Sequence, residues 1–380
     1  MPEKATNILG PQPAGLIHEA SHAAANQLET LRDTRTCRMV AWSLSGFQKV
    51  AVLSNAATGR AWRMASDEGP NLNGWDAAPP PLGFLSVGLA LAYAQEIRAL
   101  ARLRGVDPGA FGITVDNYYS VQGQMRAKTM VGGALPFGIE IAPEHDLDET
   151  ILFALVSDAL HVAPVADAVR GTFPGAFNAW LNGAPLDLSH PVPDTAAPAD
   201  PAPICREGDG PADSADILTS GDWSRPSEAP HPLHVSARGR VLPDGALDLW
   251  QELRAPCGSG WRFRAGGADA PDAVSYVSAG IGFCFMTQLE ILAGLLGIEV
   301  SAVRLVQDTR FGPGGATSGT GLAPGFAPVE SHLFVESGSA TPAQIVELID
   351  LAERACYLHA LCRTPLKPQL RIRGVTGAPA

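Results

Sequence analysis

Two cysteines in the second half of the chain carry the side chain for nucleophilic sulfur chemistry: Cys284 in AGIGFCFMTQL and Cys356 in LAERACYLHALC. A thiol attacks an electrophile only as its thiolate, so a reactive cysteine needs a neighbour that favours negative charge. Two cysteines that meet in space can also pass from dithiol to disulfide and back. Of the other four, Cys37, Cys205 and Cys257 have no partners in pattern and read as isolated thiols, Cys362 follows Cys356 by six residues, and no CxxC pair occurs. In a reducing compartment such thiols serve packing or redox chemistry rather than a disulfide framework. Taken alone, Cys284 among Gly, Phe and Met reads as a small apolar core side chain.

A metal chemistry competes near the N-terminus. Residues 18–22, HEASH, form a literal H-E-x-x-H. On a helix, His18 and His22 would share a face and could hold zinc, with Glu19 as general base. Glu29 is the candidate third ligand; the metzincin continuation is absent, since Ala25 and Leu28 stand where glycine and histidine belong. The alternative is a surface helix with two ordinary histidines. A second pattern, Cys356-x-x-His359-x-x-Cys362 with Cys284, fans over about 120° of a helix and converges poorly on one ion. There is no G-x-S-x-G elbow and no dinucleotide fingerprint, so no cofactor is expected. The glycine-rich stretch 311–328 opens no helix, has no lysine after its glycines and reads as a flexible loop.

The elements that would position the cysteines show a repeat. SVGLALAYAQEIRALARLRGVD from Ser86 aligns without gaps with SAGIGFCFMTQLEILAGLLGIE from Ser278. Ser, Gly, Leu, Ala, Leu and Gly coincide at 86/278, 88/280, 100/292, 101/293, 103/295 and 105/297. Each predicts a long, mostly apolar and therefore buried helix closed by glycine. A second pair begins at Asp148 and at Thr341; the latter opens with the capping box Thr-Pro-Ala-Gln and runs through Cys356 and His359. Trp62-Arg63 against Trp261-Arg262 is a third echo. Strand-like stretches precede and separate the helices, among them RMVAWSLSG, KVAVLS, FGITVDNYYSVQG, LHVSARGRVL, GWRFRAG and ESHLFVES. Strands segregated from helices predict an α+β fold. Between 185 and 232 ten residues are proline and few are large and apolar, which predicts a linker or extended wrap. The expected organisation is therefore two repeats, 1–184 and 232–380, joined by a Pro-rich linker at 185–231. Transferred between repeats, Cys284 falls on Ala92 and Cys356 on Ala163, so only the second repeat keeps a cysteine pair.

Net charge is −12 and pI about 5.2, which argues against unaided binding to nucleic acid or anionic membranes. No secretory signal is read at the N-terminus, and no charge-free apolar run reaches membrane-helix length, so a cytoplasmic home is expected.

On the residues AGIGFCFMTQL and LAERACYLHALC the chain resembles the OsmC/Ohr family, which includes thiol-dependent peroxidases. The resemblance implies antiparallel sheets around long buried central helices, with two OsmC-like units fused into an intramolecular pseudo-dimer. It implies Cys284 as the peroxidatic and Cys356 as the resolving cysteine. Arg262, Arg264 or Arg63 would supply the activating cation. Tyr276, Phe283, Phe285 and Met286, with His359, would line an apolar substrate pocket. Implied partners are an organic hydroperoxide and an external dithiol, in a monomeric pseudo-dimer or a higher homo-oligomer. The family's usual glutamate ten residues before the first cysteine is missing: Val274 stands there, Leu82 in the first repeat, and Asp272 is the nearest carboxylate. Tyr357 replaces the proline that commonly follows the second cysteine. The competing readings are a thiol enzyme for another electrophile or sulfur transfer, an apolar small-molecule binding protein, and a zinc hydrolase at His18, Glu19 and His22.

Overall fold

The computed structural model describes residues 5–10, 15–20, 31, 33–144, 147–193, 197–202, 219–221, 233–242, 245–256, 259–319 and 324–373. Within them lie six α-helices: α1 (Pro81–Leu103), α2 (Glu149–Val162), α3 (Ala166–Arg170), α4 (Ala273–Leu296), α5 (Pro342–Ala355) and α6 (Tyr357–Arg363). Fifteen strands form two sheets, an α+β arrangement as the segregated patterning predicts.

The first sheet holds β1 (Ile17–Glu19), β2 (Thr36–Ser43), β3 (Lys49–Asn55), β4 (Arg60–Ser66), β7 (Ala176–Leu181), β8 (Ala184–Pro185), β13 (Ala302–Arg310) and β14 (Glu330–Glu336). Its order is β1-β4-β3-β2-β13-β14-β7-β8. The second holds β5 (Phe111–Gln122), β6 (Val131–Pro143), β9 (Thr219–Gly221), β10 (Leu233–Val241), β11 (Leu247–Ala255), β12 (Ser259–Ala265) and β15 (Gln369–Ile372). Read from the other end, its order is β9-β12-β11-β10-β5-β6-β15. The first seven strands of the eight-stranded order match the seven of the other in sequence, and β8 is the one extra edge strand. In each, an antiparallel meander from one half pairs with two strands of the other, β2 with β13 and β10 with β5. In each, a strand from the other half of the chain then adds in parallel, β7 on β14 and β15 on β6. The helices match too: α1 with α4, α2 with α5, α3 with α6.

The echoes in the sequence have physical counterparts. Gly88 and Gly280 sit where α1 and α4 cross. A Cβ on Gly88 would lie 2.8 Å from the Ala273 carbonyl oxygen, and one on Gly280 2.9 Å from the Leu85 amide nitrogen. Only glycine allows this approach. Asn117 of β5 donates to the Ser86 hydroxyl at 2.8 Å, and the matching Thr309 of β13 bonds the matching Ser278. Both long helices are apolar enough by composition to cross a membrane, but most of each is buried within the fold, α1 against the second sheet and α4 against the first.

Caps behave as the sequence predicts. Asp148 accepts from the amides of Thr150 and Ile151, Thr341 and Gln344 form the capping box, and Gly297 closes α4 with a left-handed φ of 66°. Three expectations need correction. Residues 17–19 form an edge strand on β4, not a helix, because Ile17 is buried against the sheet while Glu19 pairs with Arg60. The segment from Thr341 to Arg363 is two helices, broken at Cys356, whose φ of −70° and ψ of 121° are extended. The glycine-rich loop, where described, is anchored: the buried Glu96 carboxylate accepts from the amides of Ala316 and Thr317 and from the Thr317 hydroxyl.

Part of the proline-rich connection is also bound. Leu188 and Val192 are buried, the Val192 amide donates to Asn178, and Asp200 holds Arg304 through two bonds of 2.8 Å.

Candidate active site

Cys284 lies mid-way along α4, on a helix that few side chains but apolar ones could bury. Cys356 occupies the break between α5 and α6. Their Sγ atoms are 3.4 Å apart, and both residues are buried. That is far beyond a disulfide bond of about 2.05 Å, so both are free thiols at a reactive separation.

Three groups converge on Cys356. Besides Cys284, the His359 amide donates to its Sγ at 3.5 Å, and His359 Nδ1 lies 3.3 Å away. The helix break makes this possible: an extended Cys356 lets its own side chain cap the first turn of α6 and meet the imidazole one turn on. The His359 ring is held at 5.5 Å from the Phe177 ring and 5.4 Å from Phe285. Its Nε2 is buried with no hydrogen-bond partner among the described residues. The rings of Tyr119 and Tyr357 lie 5.6 Å apart, tilted by 56°, beside the thiols, and burial drives both phenols up, so they stay neutral.

The two thiols are electrostatically unequal. Burial pushes Cys284 well above the usual thiol range, the neighbouring Cys356 adds to this, and Glu68 raises it further. Cys356 is equally buried, which raises it, but the hydrogen bond with Cys284 and the His359 contacts outweigh burial and hold it well below the ordinary thiol value. Cys362 is pushed up to about 12 by burial and by Cys356.

A buried charged cluster comes from the other half of the chain. Lys49 of β3 is fully buried and pairs with Glu290 of α4 at 2.9 Å. The Ser43 hydroxyl donates to Glu290 at 2.6 Å, and Thr287 donates to Glu68 at 2.9 Å. Thr287 is three residues beyond Cys284 on the same helix face. Burial lifts Glu68 to about 7, against the pull of Lys49. The family position before Cys284 is apolar Val274, while a carboxyl that bears on this thiol arrives from the segment after β4. The signal was present in the sequence, in a lysine opening the apolar strand KVAVLS and a lone glutamate in an apolar helix. Only the fold brings them together.

Other expected residues lie elsewhere. Strand alternation turns Trp62 and Trp261 inward and the following arginines outward. Arg63 therefore lies over the Trp42 ring on the outer face, and Arg262 pairs with Asp248 at 2.5 Å on an exposed surface. Neither faces the thiols; Arg264, two residues on from Arg262, shares its outward register. Phe285 meets His359, whereas Phe283 and Tyr276 pack on Phe84 between the long helices, with the Tyr276 hydroxyl bonded to the Arg264 carbonyl. Met286 is buried in the core. His18 Nδ1 contacts the Gly15 carbonyl, Glu19 is engaged by Arg60, and His22 and Glu29 lie outside the described residues. The helix on which the zinc reading rests is absent at 17–19, and no three metal-ligating side chains cluster among the described residues.

Comparison with known proteins gives one family: residues 266–371 match the OsmC-like protein family. No curated protein matches the chain. Among solved structures, an OsmC-like hydroperoxide resistance protein from Jannaschia sp. is 22% identical over 33% of this chain and 82% of its own, with a TM-score of 0.21. That superposition by itself supports neither fold nor activity.

Proposed function

We propose, from the OsmC-like match over 266–371, that this chain is a thiol-dependent peroxidase in which Cys284 and Cys356 cycle between dithiol and disulfide while reducing organic hydroperoxides. The observation that carries this reading is the 3.4 Å separation of the two sulfurs, which lie inside the matched segment. One sulfur attacks the terminal peroxide oxygen, the O–O bond breaks, and the alcohol leaves with a proton. The resulting sulfenic acid condenses with the second thiol, releasing water and forming the disulfide. An external dithiol restores both thiols. The aromatic surroundings, Phe285, Phe177, Tyr119 and Tyr357, favour an apolar substrate over hydrogen peroxide.

In this reading the two halves are fused copies of one unit, and the first half, with Ala92 and Ala163 at the matching positions, contributes structure rather than sulfur. The matched strand orders and the shared interval support it: α1 and α4 start 192 residues apart, β7 and β15 193. The test is one equivalent of cumene hydroperoxide followed by thiol titration and peptide mapping. Loss of two thiols as a Cys284–Cys356 link is expected; no loss of thiols would overturn the reading.

A further inference from the structure

Resting on the dithiol reading, we propose that the attacking sulfur is that of Cys356, with His359 as its acid–base partner, and that Cys284 is the resolving thiol. This reverses the roles that the resemblance implies.

The geometry is one-sided. His359 Nδ1 at 3.3 Å, the His359 amide at 3.5 Å and the Cys284 sulfur at 3.4 Å all meet Cys356 Sγ. Cys284 faces Cys356, neutral Tyr119 and Tyr357, and the Glu68 carboxyl, which disfavours charge there; against these stands a hydrogen bond from the Leu358 backbone, with no ionisable donor beside it. The groups bearing on Cys356 are Cys284 from α4, Tyr357, His359 and Cys362 from α6, and Tyr119 from β5. Of these, only His359 can become a cation. The direction of the two thiols, Cys356 down and Cys284 up, agrees with the geometry.

His359 also has the second nitrogen that an acid–base role needs. Nε2 is buried and has no partner among the described residues, which is costly for a polar atom unless a ligand or water completes it. The proton that leaves Cys356 rests on the imidazole. When Cys356 attacks the terminal peroxide oxygen, that proton passes to the departing alkoxide. Cys356 becomes the sulfenic acid, and the Cys284 sulfur, already in contact, displaces water from it.

The test uses full-length Cys284→Ser, which keeps a hydroxyl donor beside Cys356, together with Cys356→Ser and Cys284→Ser/His359→Phe. Phenylalanine keeps the ring packing of His359 and removes both nitrogens. Ultraviolet thiolate absorbance is followed against pH. Dimedone capture of sulfenic acid after one equivalent of cumene hydroperoxide is located by peptide mapping. The expected result is thiolate in Cys284→Ser at a pH well below the ordinary thiol range, and none in Cys356→Ser until alkaline pH. Dimedone is expected on Cys356, at least about tenfold above any adduct on Cys284. Adding His359→Phe should move the Cys356 midpoint up by about one pH unit or more. A Cys284 that titrates lower and takes the dimedone would overturn the assignment and leave the peroxidase reading standing. Hydroperoxide that labels neither thiol would remove the peroxidase reading, and the titration would still decide which sulfur holds the charge.

Discussion

Cys284 and Cys356 hold their sulfurs 3.4 Å apart although 72 residues separate them in sequence. A bond between them must be about 1.3 Å shorter, a movement that the helix break at Cys356 can absorb without displacing α4. Oxidation by diamide should therefore form an intramolecular Cys284–Cys356 disulfide without a change in far-ultraviolet circular dichroism. A link from either cysteine to Cys362 instead would count against the pairing.

Glu68 gives a pH dependence with a defined sign. Its carboxyl is lifted to about 7 in the fold, above the ordinary value of about 4.3 in an unfolded chain. A group that holds its proton more tightly when folded favours folding below the unfolded value, and that contribution is lost as pH rises through the folded one. Glu68→Gln removes the titration. The fall in unfolding midpoint between about pH 5 and pH 8 should be smaller in this variant; an unchanged fall would exclude Glu68 as its source.

Lys49 and Glu290 form a pair whose members depend on each other. Lys49→Met leaves a largely buried carboxylate alone, a change that costs about 3–5 kcal/mol in comparable pairs. Lys49→Met/Glu290→Gln should recover most of that loss in urea unfolding. Equal losses in the single and double variants would mean that the pair contributes through packing alone.

Two glycines of α4 should respond in opposite directions. Gly280→Ala places a Cβ 2.9 Å from the Leu85 nitrogen and should destabilise by about 1–3 kcal/mol. Gly294→Ala meets nothing within 4 Å near the exposed end of the same helix and should stabilise by about 0.5–1 kcal/mol. Thermal unfolding of the two variants reads both signs.

Much of this was legible in the sequence because local physics governs it. The capping residues Asp148 and Thr341, the terminal glycine Gly297 and the apolar faces of the long helices each act within a few residues of chain. So does the alternation that builds β5. The likeness of the two long helices was legible because Gly88 and Gly280 answer the same steric demand. What escaped was set by tertiary contact. Strand 17–19 forms because β4 offers an edge, a demand that overrides a histidine pattern suited to a helix. The helix break at Cys356 follows from what its sulfur meets, and nothing in LAERACYLHALC marks it. The arginines were misplaced because a Trp-Arg pair on a strand must send one residue to each face. The sequence shows the pair but not which face the thiols occupy.

The crossed arrangement of the sheets has a last consequence. Helix α4 rests on β2, β3 and β4, which come from residues 36–66, while the strands just ahead of it in the chain, β10 to β12, underlie α1. Each half thus builds the floor beneath its neighbour. A fragment cut to hold only the matched stretch 266–371 would carry both sulfurs and the imidazole yet lack Lys49 and Glu68, leaving the underside of α4 open to water. The half that lacks the cysteine pair is thus the foundation of the half that holds it, and substitutions in the one are felt at the paired sulfurs of the other.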